Sequence, residues 1–201
     1  ATVWADERLA QEYEHAFVAL WDDLRGSSDP IATLAAFPFD TITIADAGDF
    51  RARMLGIREA VLEANPRPID HVAWQAWLQS WRERGFSLVQ TEWHHASFDR
   101  SGDLPRSKFN IVLHGTGPDE LRFDVGGAIV VDWARERDVS GTPVVQAIDA
   151  TGLTLRIRSG AVPFETHEIG QVDYLGPRGV VLAADLDGDG QSELLCPCLL
   201  Y

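Results

Sequence analysis

Four carboxylates crowd into nine residues near the end of the chain, in Asp185-Leu186-Asp187-Gly188-Asp189-Gly190-Gln191-Ser192-Glu193. Acids at positions 1, 3 and 5 followed by glycine at 6 suit a hard divalent cation. Alternate side chains turn inward onto one point, and the glycine lets the backbone bend sharply around it. Asp185, Asp187 and Asp189 would donate carboxylate oxygens, Gln191 its backbone carbonyl, and Glu193 would close the shell. A plain Asp-Gly hairpin turn needs no such set of acids, and without a cation they would repel one another. The carboxylate number exceeds what Mg2+ usually takes, so Ca2+ is the expected ion.

The flanks of this loop read as strands, Gly179-Val180-Val181-Leu182-Ala183-Ala184 before it and Leu194-Leu195-Cys196 after it. An EF-hand would need helices there and an acid at position 12, where this chain has Cys196. The expectation is therefore a strand–loop–strand calcium site.

A second group of residues could support acid–base chemistry. In the period-two run 86–98, Glu92 and His94 fall on one face, while Thr91, Trp93 and His95 fall on the other. His114 ends the next strand, and Asp124 lies on the one after. Glu92 with His94, or His114 with Asp124, would make a carboxylate–imidazole pair acting as a general base. The competing explanation is a half-solvated sheet face carrying cross-strand charge pairs.

Other patterns fail on their chemistry. His167-Glu168-Ile169-Gly170-Gln171 has Gln where a zinc protease needs its second His. Cys196 and Cys198 sit about 6.6 Å apart on an extended strand, at the limit of disulfide geometry, and no second pair completes a zinc set. Phosphate-binding glycine loops and the G-x-S-x-G nucleophile motif are absent.

The elements that must position these groups follow from hydrophobic spacing. Leu9, Tyr13, Phe17, Leu20, Trp21 and Leu24 make one apolar stripe, so residues 1–25 are expected to be a helix. Short elements follow, a helix at 31–37 and a strand at 41–44. Residues 49–64 read as a third helix ended by Asn65-Pro66, and 69–84 as a fourth. The fourth carries Trp74, Trp77, Leu78 and Trp81, expected as core rather than as a sugar-stacking platform. Strands are expected at 86–98, 107–115 and 120–134, the last bent at Gly126-Gly127. Residues 136–143 read as a linker. The fold class is thus α+β, with N-terminal helices packed on a strongly curved antiparallel sheet. Two domains are expected, an α+β domain at 1–137 and a β segment with the ion loop at 138–201.

Composition bounds the partners. The 201 residues carry 31 Asp+Glu against 17 Lys+Arg, a formal charge of −14, which disfavours nucleic acid and anionic lipid surfaces. Apolar residues make up 45% of the chain, enough for a core, and no apolar run reaches the length of a membrane span. The chain starts Ala1-Thr2-Val3 with its only methionine at Met54, so a processed or trimmed product is expected.

Two resemblances rest on these residues. Residues 144–201, with Ile148-Asp149-Ala150-Thr151-Gly152-Leu153 as lead-in and the loop 185–193, resemble the FG-GAP/VCBS calcium loop of β-propeller blades, of the ASPIC/UnbV-associated kind. A propeller takes about four to eight blades, and this chain has one loop. That implies a fragment of a longer protein or a hairpin recruited onto the first domain, with the fragment expected. The element order of residues 5–135 resembles the NTF2-like (SnoaL-like) cone fold, which implies a pocket on the concave face and a homodimer through the sheet. Together these imply a non-catalytic, exported calcium-binding module, extracellular or periplasmic, that binds a protein partner, a ligand or its own downstream domain. The alternative they imply is a SnoaL-like small-molecule enzyme using the His–carboxylate pairs named above.

Overall fold

The structure is a computed structural model, and it describes residues 3–161 and the two short strands Leu182–Ala184 and Glu193–Leu195. The chain divides into two compact units, Ala1–Ala161 and Val162–Tyr201. Helix α1 (Val3–Gly26) buries Tyr13, Phe17, Leu20 and Leu24, the stripe seen in the sequence. Helix α2 (Pro30–Ala36) starts with proline in its first turn, and the Asp29 carboxylate accepts from the Ala32 N–H at 3.1 Å. Strand β1 (Thr41–Ala47) follows, then the two-residue strand β2 (Arg51–Ala52), a single 3-10 turn (Met54–Gly56) and strand β3 (Arg58–Asp70).

Helix α3 (His71–Glu83) is capped by Asp70, which accepts from the Ala73 N–H at 2.8 Å. It ends at Gly85, whose φ of 82° lets the Phe86 N–H reach the Trp81 carbonyl at 3.1 Å. Three long strands come next: β4 (Ser87–Asp99), β5 (Arg106–Gly117) and β6 (Leu121–Arg137). Strands β7 (Pro143–Asp149) and β8 (Thr154–Arg158) complete the first unit. In the second unit, β9 (Leu182–Ala184) and β10 (Glu193–Leu195) pair antiparallel, with Glu193 opposite Ala184.

The sheet of the first unit runs β2-β3-β1-β7-β6-β5-β4, and β8 pairs with both β3 and β6. The ladders β6–β7–β1–β3–β8–β6 therefore form a closed circuit. The class is α+β, with the N-terminal helices on a curved sheet. The sheet is mixed rather than purely antiparallel, because β1 and β7 run parallel, with Thr41 opposite Ala147. Strand β6 changes partner halfway: Arg122–Gly126 bond to β8 and Val130–Arg137 to β7. The change falls at Gly127, whose φ of 144° few side-chain-bearing residues adopt.

Two expectations need correction. Residues 49–64 are not a helix but β2, the 3-10 turn and the first half of β3. Leu55 and Gly56 have φ of 58° and 73°, which interrupts any helix. Beyond them, the backbone of residues 58–62 is claimed on both sides, by β2 and β1 and by β8. Sheet pairing outweighs the helix-favouring composition of this stretch. The first compact unit also extends to Ala161 rather than 137. Residues 136–143 include the end of β6 and a turn held by Asp138, which accepts from the Ser140 and Thr142 N–H groups at 2.9 and 2.8 Å. The lead-in stretch Ile148–Leu153 lies in and after β7, inside this unit.

Candidate functional site

Helices α1, α2 and α3 lie over one face of the sheet, and their apolar stripes do not fill the space beneath them. A cavity of about 410 Å3 remains, within the size range of small-molecule sites. Its deep wall is Phe17, Trp93, Ile111 and Ile129, all buried. Trp74, Trp77 and Trp81 of α3 form a second wall. Their rings lie 5.3 and 4.8 Å apart in succession, and Trp81 meets Phe123 edge-on at 6.1 Å. The expectation of core holds for Trp74, which is buried; Trp77 and Trp81 stay partly exposed. The two charged residues on the lining are Asp46 and Arg84, both exposed at the surface.

The stripe arises because α3 places residues 74, 77, 78 and 81 on one side. The sheet supplies the opposite side through alternate residues: Ile111 and Leu113 on β5, Phe123 and Val125 on β6. Strand β4 would slip out of phase, but irregularities between Leu88 and Gln90 and between His95 and Ser97 reset it. Leu88, Thr91, Trp93, His95 and Phe98 all point inward as a result. Thr91 Oγ1, Trp93 Nε1 and His95 Nε2 are buried without a hydrogen-bond partner.

The four acid–base candidates lie on the other face of the sheet. Cross-strand register puts Glu92 opposite Val112, His94 opposite Asn110, and His114 opposite Asp124, all alternating with the inward residues. None of them lines the cavity. Glu92 Oε2 and His94 Nε2 stand 3.7 Å apart, both exposed, beside an open groove with Trp21 and Arg25. His114 and Asp124 are neighbours, but Asp124 is engaged by Arg156 at 3.0 Å. Arg156 also binds Glu59 at 2.9 Å, and Glu59 is held by Arg53 at 2.7 Å. These two guanidinium groups, Arg53 first, keep the Glu59 carboxyl below its ordinary range. The row Asp124–Arg156–Glu59–Arg53 is a charge lattice that ties β6, β8 and β3 together.

The ion-loop ligands Asp185, Asp187, Asp189 and Gln191 lie outside the described residues, and only the backbone of Glu193 is described, as the start of β10. Among the described residues, no group of three or more His, Cys, Asp or Glu is placed to hold a metal. No helix among them is long and apolar enough to cross a membrane.

The NTF2-like resemblance implied a pocket on the concave face, while hydrophobic spacing alone read the tryptophans of this wall as core. What marked the wall was aromatic density: Trp74, Trp77, Trp81 and Trp93 fall within twenty residues. Comparison with models of known protein families finds no match, and comparison with curated proteins finds none either.

Proposed function

We propose that the chain is a non-catalytic binding module. Its first unit takes a small apolar ligand in the tryptophan-walled cavity, and its second unit is stapled by Ca2+ at Asp185–Glu193. The observation that carries this is chemical. The cavity wall is aliphatic and aromatic, with Asp46 and Arg84 as its charged members, while both His–carboxylate pairs stand on the opposite face of the sheet. A general base must come within about 3 Å of the proton it removes, and neither pair faces a ligand in the cavity. The order α1-α2-β1-β3-α3-β4-β5-β6-β7, with helices over the concave face, supports the NTF2-like resemblance. The paired strands β9 and β10 on either side of residues 185–192 support the strand–loop–strand resemblance to FG-GAP repeats.

Binding is tested with N-phenyl-1-naphthylamine, a neutral apolar dye. Its fluorescence should rise with the protein, and Leu113→Trp, which fills the cavity, should remove most of that rise at unchanged circular dichroism. Absence of dye binding by the wild-type chain sinks the ligand reading. The alternative enzyme would use Glu92, His94, His114 or Asp124. Its test is any turnover lost in His94→Ala or His114→Ala.

The calcium staple has a separate test. A ligand that binds only the folded state at a hundred times its Kd adds about 2.7 kcal/mol. Adding Ca2+ to EDTA-stripped protein should therefore raise Tm by several degrees, and Asp187→Ala should abolish the rise. An unchanged Tm in saturating Ca2+ would falsify the site. Sites of this kind in extracellular modules bind at around 10⁻⁴–10⁻³ M, which suits an exported protein. The outer sheet face is the surface this function assigns to a second copy or to a protein partner.

A further inference from the structure

We propose that the ligand of the cavity is an apolar carboxylic acid, with its apolar body against the tryptophan wall and its carboxylate on Arg84. This rests on the cavity being a ligand site. The two charged lining residues differ in what they already hold. Asp46 is occupied: Arg67 donates to it at 2.9 Å and Asn65 at 3.3 Å. Those two donors, Arg67 first, hold its carboxyl below the ordinary range, so it stays ionised and neutralised in place. It has little left to offer a cationic ligand.

Arg84 is in the opposite condition. Its Nε donates to the Ser80 carbonyl at 3.1 Å, and its guanidinium lies over the Phe86 ring at 5.5 Å. These contacts position the group at the C-terminal end of α3, next to Trp81. Its terminal nitrogens have no acceptor, and no carboxylate pairs with it, among the described residues. Elsewhere on the unit, Arg53, Arg67, Arg82, Arg106, Arg137 and Arg156 each meet a carboxylate. With Asp46 balanced by Arg67, the lining keeps one uncompensated positive charge. A guanidinium fork matches a carboxylate in two parallel hydrogen bonds. The chain's overall charge of −14 would repel an anion at long range. The preference must therefore act by contact, backed by burial of the apolar body against the tryptophan wall.

The experiment uses the full chain at pH 8 and measures displacement of N-phenyl-1-naphthylamine by dodecanoate, dodecan-1-ol and dodecylamine. Dodecanoate should displace the dye at roughly fivefold lower concentration than the alcohol, about the most an exposed ion pair gives. The amine should be the weakest. Arg84→Gln should bring the acid down to the alcohol without changing the alcohol, and Arg84→Lys should keep part of the preference. If the alcohol equals the acid, or the preference survives Arg84→Gln, the acid-head proposal is wrong while the cavity reading stands. If the dye binds nowhere, the cavity reading itself is lost and takes this proposal with it.

Discussion

Buried polar atoms set the sharpest demands at the scale of single residues. Trp133 and Ser107 are both fully buried, and the indole N–H donates to the Ser107 hydroxyl at 2.9 Å. Ser107→Ala leaves that N–H without an acceptor, which should cost about 1–3 kcal/mol in urea unfolding. Thr91 is the converse case. Its backbone carbonyl accepts from Trp21 Nε1 at 2.7 Å, but its buried hydroxyl has no partner. Thr91→Val keeps the shape and removes the unsatisfied group, so it should stabilise by about 1 kcal/mol. A destabilised Thr91→Val protein would show that the hydroxyl is hydrogen-bonded after all. Neither case is visible in the sequence, where Thr91 and Ser107 look like ordinary strand residues.

At the scale of elements, the bend in β6 is the feature most dependent on one residue. A Cβ on Gly127 would stand 3.1 Å from Leu153 Cδ2, and the φ of 144° would be strained besides. Gly127→Ala should therefore cost about 1–3 kcal/mol. It should also loosen Leu153, which lines the cavity. A wild-type Tm in this variant would contradict that account. The sequence showed the bend through Gly126-Gly127, and it showed α1, α3, β4, β5 and β6 through their periods. It misplaced residues 49–64 because Arg58-Glu59-Ala60-Val61-Leu62-Glu63-Ala64 favours a helix when read alone. It left β7 outside the first domain because a parallel pairing with β1 joins residues about a hundred positions apart, which no local period reports. Hydrophobic spacing by itself did not report the cavity for a related reason: apolar stripes announce that surface is covered, not how completely.

For the molecule as a whole, charge governs how stability responds to acid. Asp46, held by Arg67, Glu59, held by Arg53, Asp99, held by Ser101, and Asp138, held by Ser140 and Thr142, all have carboxyls below their ordinary range. Unfolded Asp and Glu take up protons near pH 3.9 and 4.3. In that window the unfolded chain binds more protons than the folded one, so stability rises with pH. The contribution is complete above about pH 5 and is lost as pH falls through the lowered folded values. Asp46, Asp99 and Asp138 are exposed and Glu59 is half-buried, so each share is small. The urea midpoint should fall as pH drops from 5 to 3, and Asp138→Asn should flatten part of that slope. A midpoint independent of pH there would show that these contacts do not persist in solution.

The closed circuit of ladders also fixes an order of assembly. Strands β7 and β8 are the last of the first unit to be synthesised, yet β1 and β3 depend on them for one of their neighbours. Until residue 158 clears the ribosome, α1, α2, α3 and β4–β6 can form while the ring stays open. During that interval the cavity bounded by the tryptophan wall of α3 lacks Ile148, Leu153 and Leu155 from its lining. Chain growth at about 5–20 residues per second makes this a delay of seconds. A nascent chain stalled before residue 143 is thus the state in which this protein would most readily be held by a chaperone or aggregate.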